Sequence, residues 1–361
     1  MTRALTIAWL LLLASVPLWL DSLYILHVLI TTGIFIIAAM SLNLLLGYTG
    51  QLSLGHVAFF GIGAYASSLA SLGFEVHLLA DVDLPLGSLA IPLMRQFLVK
   101  VEPQPVWLSM IIAVFVAALC GWFIGKIAFR VRGAYFVIVT VSFAEVVRLV
   151  ALNWIELTQG PMALNNIPPL TLWLPGLGEL TFWKKPANYY VVLVVGVLAY
   201  VLIRRLVHSR AGRAMIALRE NEPLATSVGV DVTRYLVLAT VISAAIAGSA
   251  GAIYAHYIRI VDPDIFLFVY TVTMVIMVVT GGKGTLAGPI VGGIIFGLLP
   301  EVLRAFRSPP EVQWMLYGVL MILVVYLLPE GIVPAVRRWW QDRTAPRPAV
   351  DEPQPASGGT K

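Results

Sequence analysis

RRLVHSRAGRAMIALRENEPLATSVGVDVTRY, residues 204–235, is a polar, Arg-rich interval flanked on both sides by runs apolar enough to sit in lipid. Its Arg residues are 204, 205, 210, 213, 219 and 234. Its internal punctuation is that of a folded segment. Ala211 to Arg219 are good helix formers. Asn221 can cap a second short helix, with Pro223 near its start where a missing N–H costs little. Gly229 offers a left-handed stop. The interval therefore reads as two short helices with a corner at Arg219–Asn221, held between two membrane spans. Met215, Leu218, Leu224, Ala225 and Val228 can form an apolar strip on this cationic loop. A docking surface for another protein needs such a strip; a positive loop that only sets topology does not.

The 361 residues around it are 59% hydrophobic and 12% charged, with a mean hydropathy of +0.89. A soluble chain carries about twice that charged share. Repeated apolar runs of about 20 residues make this an all-α polytopic membrane protein rather than a barrel of short alternating segments. The net charge of +5 is no nucleic-acid signal, because Lys and Arg cluster between the runs. Cys120, the single cysteine, lies in an apolar run, which excludes an intrachain disulfide and a cysteine metal site.

The runs are Ala4–Leu20, Tyr24–Leu46, Leu52–Gly73, Val106–Phe129, Gly133–Leu152, Tyr189–Ile203, Leu236–Tyr257, Ile265–Thr280, Leu286–Leu303 and Trp314–Val333. The first reads as a span, a signal peptide being the alternative. About ten spans with both ends inside result, with Ala4–Leu20, Leu52–Gly73 and Leu286–Leu303 open to re-entrant passage. Residues 74–105 are a water-facing excursion with a surface helix expected near Ala90–Val99. Residues 153–188 are a second outer loop. Residues 1–336 form the transmembrane domain, and the Pro-rich tail 337–361 is expected to be disordered. This layout puts sixteen Lys and Arg inside and seven outside, with Arg148 within a span. That asymmetry orients the chain N-in and C-in.

Residues 41–67, SLNLLLGYTGQLSLGHVAFFGIGAYAS, crowd Asn43, Gln51, Ser53, His56 and Tyr65 near membrane depth beside helix-breaking glycines such as Gly47. Broken backbone is tolerated in a membrane only inside protein or along a watery path. A route for a polar solute is one reading; close packing through small residues is the other. Glu145 and Arg148 share one helical face and can pair, either on the route or as a structural pair. The glycines at 284, 288, 292, 293 and 297 make a close helix-packing face. Lys283 sits in no phosphate loop, and no Cys/His cluster with metal spacing occurs, so the chain has no ATP or metal site of its own.

Together with residues 132–148, 211–257 and 281–293, the stretch 41–67 resembles the branched-chain amino acid permease family of bacterial ABC importers, its LivM-type membrane subunit above all. The resemblance covers residues 24–338. It implies a multi-pass subunit of the bacterial inner membrane, paired with a second, LivH-like permease. It also implies two cytoplasmic ATPase subunits that use ATP and Mg, and a periplasmic solute-binding protein. The loop 204–235 is then the segment that docks on an ATPase. The family pattern there is Glu-Ala-Ala, three residues, then Gly. Aligned on Gly229, this chain has Pro223, Leu224 and Ala225, with Glu222 one place early. Arg219, Asn221, Glu222, Ala225 and Gly229 are the coupling candidates; Asn43, Gly47, Gln51, Ser53, His56, Tyr65, Glu145 and Arg148 are the path candidates. The family's outer-loop run Thr-Gly-Gly-Pro-Asn-Gly is here Thr158-Gln-Gly-Pro-Met-Ala163. Urea, amides and other amino acids therefore stand beside branched-chain amino acids as solutes. A stand-alone secondary transporter or channel is the competing class; it expects more buried carboxylates and gives no reason for a folded loop. A membrane enzyme or anchor subunit expects a reactive cluster or a soluble domain.

Overall fold

Two helices that are apolar on every side organise the bundle. The computed structural model describes residues 12–19, 22–78, 83–86, 89–92, 97–131, 133–174, 178–305, 309–328 and 330–344. Helix α1 covers 12–19, and the remainder of the expected first span lies outside the described residues. Helix α2 (Leu23–Asn43) starts at Ser22, whose hydroxyl accepts the Ile25 N–H, and continues into a π-turn, Leu44–Thr49. Helix α3 is Val57–Leu72. Then follow α4 (Val106–Ala128), α5 (Ala134–Asn153), the short α6 (Ile155–Thr158) and α7 (Lys185–Val207). After the short helices α8 (Arg210–Glu220) and α9 (Glu222–Ser227) come α10 (Val232–Ile258), α11 (Phe268–Gly281), α12 (Gly288–Ala305), α13 (Pro310–Leu327) and α14 (Ile332–Thr344).

Helix α10 packs on α4, α3 and α2, while α2 also meets α12, α7 and α11. These two are the most buried spans, and α5 and α7 among the most exposed. Small residues set how closely the central helices approach. A Cβ at Gly251 of α10 would overlap the carbonyl oxygen of Phe60, and one at Gly63 of α3 would overlap that of Gly248. Between lipid-soluble helices such van der Waals contact supplies the attraction, since burial of apolar surface contributes little in lipid. The expected packing face on α12 is realised the same way: Gly292 abuts the Met277 carbonyl, and Gly293 abuts Ile36.

Among the described residues five helices are long and apolar enough to cross a membrane: Leu23–Thr49, Val106–Ala128, Ala134–Asn153, Lys185–Val207 and Val232–Ile258. Val57–Leu72, Phe268–Gly281 and Gly288–Glu301 are shorter apolar helices. Two expected runs start later than their hydropathy implies. Leu52–Gly73 becomes helical at Val57, because Gly50 adopts the left-handed conformation (φ 74°) and residues 51–56 form extended chain and turn. Ile265–Thr280 is preceded by a 3₁₀ turn, Pro263–Phe266.

Two further expectations are corrected. Beside the helices stand three two-stranded antiparallel sheets: β1 (Phe74–Leu78) with β4 (Phe97–Val101), β2 (Asp83–Leu86) with β3 (Leu89–Pro92), and β5 (Thr171–Leu174) with β6 (Gly178–Thr181). The surface helix near Ala90–Val99 is thereby replaced by strand at 89–92 and 97–101. There Phe97 and Val99 suit a pleated surface, and Lys100 faces Glu75 in the register with a 2.5 Å ion pair. The Glu75 hydrogen bond holds the Lys100 ammonium above the ordinary lysine range. The second correction concerns the tail. Residues 337–344 continue α14, whose apolar Ile332, Val333 and Val336 recur at helical spacing; residues 345–361 lie outside the described residues.

The inter-helix links sort into two ends. At one end Gly47 meets Arg219, Asn43 meets Thr285, and Gly282 packs on Pro334. At the other, Lys185 meets the Leu23 carbonyl, His27 meets Tyr257, Gln104 N–H meets the Ala70 carbonyl, and Leu164 bridges Val261.

Candidate coupling junction and solute path

Helix α8 begins at Ser209, whose hydroxyl accepts the Gly212 N–H at 3.3 Å. It ends at Asn221, which turns extended (φ −157°) and caps α9 by accepting the Leu224 N–H at 3.0 Å. Pro223 sits in the first turn of α9, and Gly229 ends the unit at φ 87°. This is the two-helix corner the residues predict. The apolar strip, however, divides. Met215, Leu218 and Ala225 are buried inward; Leu218 and Ala225 join a cluster with Ala128, Phe129 and Phe136. Leu224 and Val228 alone of the five are turned to solvent, at 63% and 75% exposure.

The last turn of α8 reaches the broken end of α2. Arg219 Nη1 donates to the Gly47 carbonyl oxygen at 2.7 Å, while Nη2 and Nε bond the Glu220 carboxylate at 2.5 and 3.0 Å. Gly47 lies in the π-turn, which misaligns backbone groups at a helix end. Two glycines make room. A Cβ at Gly47 would overlap Asn43 Oδ1 and the Gly284 N–H, and one at Gly50 would press on the Arg219 side chain, besides being strained at φ 74°. Asn43 completes the junction. Its Nδ2 donates to the Thr285 carbonyl and its Oδ1 accepts the Gly284 N–H, both at 2.9 Å. Four elements, α2, the π-turn, α8 and the 282–287 loop, therefore meet through one guanidinium and one amide. A shift of α8 must move the Gly47 carbonyl or break a charge-assisted bond.

The other path candidates lie apart from this junction. His56 is completely buried; its ring nitrogen Nε2 lies 2.7 Å from the Ser41 hydroxyl, whose carbonyl in turn accepts from Ser243, and its Nδ1 has no partner among the described residues. Ser53 is buried nearby in sequence, and Gln51 follows the π-turn with its N–H on the Leu45 carbonyl. Tyr65 stacks on Phe266 at 5.6 Å, its hydroxyl unpaired among the described residues. Glu145 and Arg148 do pair, with Nη2 to Oε1 at 2.8 Å, on an outward face of α5 where Glu145 is 52% exposed. The structure thus unites Asn43 and Gly47 with Arg219 and leaves His56, Tyr65 and the Glu145–Arg148 pair at separate sites. Gly284 and Thr285 were missed as partners of this junction. Their only sequence signal is a glycine pair around Lys283, which reads as helix packing.

The family model described as branched-chain amino acid transport system / permease component matches residues 24–325. The chain is 31% identical over 328 residues to the high-affinity branched-chain amino acid transport system permease protein LivM of Salmonella typhimurium, covering 85% of this chain and 69% of that protein. It is 29% identical over 227 residues to the LivH permease of the same organism, covering 61% of this chain and 72% of that one. It is also 28% identical over 286 residues to the fructose import permease FrcC of Rhizobium meliloti, covering 77% of each. No solved structure matches the chain.

Proposed function

The chain belongs to the branched-chain amino acid transport permease family, and from that premise we propose that it carries branched-chain amino acids into the cell as one of two permease subunits of an ABC importer. The observation that carries the mechanism is the Arg219–Gly47 bond, which joins a polar, capped helix pair to a break in a central span. The partner permease is LivH-like, two ATPases sit against α8 and α9 at the cytoplasmic face, and a periplasmic binding protein delivers the solute at the opposite end. The positive-inside asymmetry supports this orientation in the bacterial inner membrane. ATP binding closes the ATPase pair and displaces α8, and Arg219 passes that displacement to the π-turn of α2. The helices around 41–67 then exchange the side to which they open. The drive is the difference in ATP affinity between the two states.

The Glu145–Arg148 pair supports a protein neighbour for α5. An ion pair midway along a spanning helix is costly against lipid, so the outward face of α5 is read as covered by the second permease. Solute identity is tested by ATP hydrolysis of the purified complex in nanodiscs with its binding protein, across amino acids, amides and urea. Leucine, isoleucine or valine is expected to stimulate. Stimulation by another solute alone would reassign the cargo, and absence of any copurifying ATPase would end the importer reading.

The exposed Leu224 and Val228 are the residues proposed to enter an ATPase groove. Leu224→Asp with Val228→Asp is expected to abolish ATPase copurification while the chain keeps its thermal stability, since neither side chain packs inside the chain. Retention of the ATPases by that variant would rule these residues out of the interface. Ala225→Glu is a poorer test, because it places a charge in the buried cluster around Phe129 and Leu218.

A further inference from the structure

We infer that the cavity at the end of the bundle opposite the Arg219 junction is a receiving site for the carboxylate of a free α-amino acid, with Lys185 and Arg259 as its anion-binding groups; this rests on the permease reading above. The cavity has a volume of about 370 Å³, within the range of small-ligand sites. It lies between the first turn of α7, the last turn of α10, the start of α2 and the segments around 169 and 182.

Its charge is one-sided. Lys185 and Arg259 line it, and no carboxylate does among the described residues. At the same end Glu301 is already engaged by Arg304 and Tyr24. Cations held in a concave site without a counter-charge draw in an anion. Both side chains are positioned and not saturated. Lys185 Nζ donates to the Leu23 carbonyl at 3.1 Å, which leaves two of its three hydrogens. Arg259 Nε donates to the Ile167 carbonyl at 3.0 Å, and its guanidinium lies over the Trp183 ring at 5.2 Å. Its two terminal nitrogens have no acceptor among the described residues, and they present the fork that fits a carboxylate.

The backbone of Arg259 is the left-handed stop that ends α10, φ 69°. The surrounding bonds hold it there, with the Arg259 N–H on the Ala255 carbonyl and the side chain on Ile167.

The polarity suits a zwitterion rather than a simple anion. The first turn of α7 presents the positive end of a helix, and the last turn of α10, at Tyr257 and Ile258, presents the negative end. A carboxylate at Lys185 and Arg259 leaves the ammonium to face the terminal carbonyls of α10. Phe182, Trp183 and Tyr257 supply apolar wall for a side chain, and Tyr257 is fixed by its 2.7 Å bond to His27. An anionic lipid headgroup offers the same negative charge to Lys185 and Arg259, so the test separates the two sources.

The assembled complex, in phosphatidylcholine nanodiscs without its binding protein, is treated with phenylglyoxal, and modification of Arg259 is followed by peptide mass spectrometry. Leucine is expected to slow that modification about tenfold, the worth of one charge-assisted bond. Leucinol, which has an alcohol in place of the carboxylate, is expected to give no protection. Lys185→Gln is expected to raise the half-protecting leucine concentration about tenfold, and Lys185→Arg to restore it, which a merely structural role would not predict. Equal protection by leucinol, or none by leucine, overturns the proposal. Suppression of the labelling by anionic lipid alone assigns the cavity to a headgroup and also overturns it. ATP hydrolysis stimulated by leucine with the binding protein is measured on the same preparation. If stimulation persists without protection, the permease reading stands and this site falls.

Discussion

Arg219→Gln is expected to give a complex that assembles and hydrolyses ATP but imports leucine about tenfold more slowly or worse, since a charged hydrogen bond is worth about 1.5–3 kcal/mol. The reasoning is local. The guanidinium of α8 bonds the broken end of α2, through the Gly47 carbonyl at 2.7 Å. Gln is shorter and uncharged, so it reaches neither Gly47 nor the Glu220 carboxylate in the same geometry. Under the proposed mechanism, the ATPase stroke is then expected to move α8 without moving the π-turn. Arg219→Lys is expected to fall between, because an ammonium can bond one carbonyl but cannot also fork onto Glu220. The readout is the ratio of leucine imported to ATP hydrolysed in proteoliposomes. A wild-type ratio in Arg219→Gln would remove this bond from the mechanism.

The largest stability effect is expected at the α3–α10 crossing. Gly251→Val places a branched side chain where even a Cβ would overlap the Phe60 carbonyl oxygen. Backbone cannot yield there as a flexible side chain would. The same crossing is pinned by Gly63 against Gly248, so the helices must separate along its length. Overpacking of this kind costs about 1–3 kcal/mol, and Tm in detergent should fall by several degrees. Gly196 of α7 is the internal control, for a Cβ there makes only ordinary contact, 3.7 Å from Ile37. If Gly196→Ala and Gly251→Val lowered Tm equally, close approach at the crossing would not be what holds the bundle.

Neither effect follows from hydropathy alone, and the reason separates what each level of description contains. Hydrophobic runs identify the spans because lipid demands them segment by segment. Caps and breakers such as Asn221, Pro223 and Gly47 act within a few residues, so the α8–α9 corner and the break after α2 were legible in the chain. The family pattern around 41–67 and 211–257 was legible for the same reason, being a string of local residue choices. The hairpin at 74–101 was not, because its strands are separated by some twenty residues and pair only across the gap. Which face of α9 remains free was also hidden. Leu224 and Ala225 are neighbours of similar character, and only the packing of Ala225 against the end of α4 sends one inward and the other out.

By itself, then, the sequence determined that this is a polytopic helical permease with a folded cationic loop and a broken polar span, since each of those features is written in short-range composition. Only the tertiary structure decided that the loop and the break are one device. Arg219 and Gly47 stand 172 positions apart, and no periodicity or propensity relates residues at that distance. Their bond exists because α10, α7 and α2 pack so that the end of α8 arrives over a carbonyl that the π-turn leaves exposed.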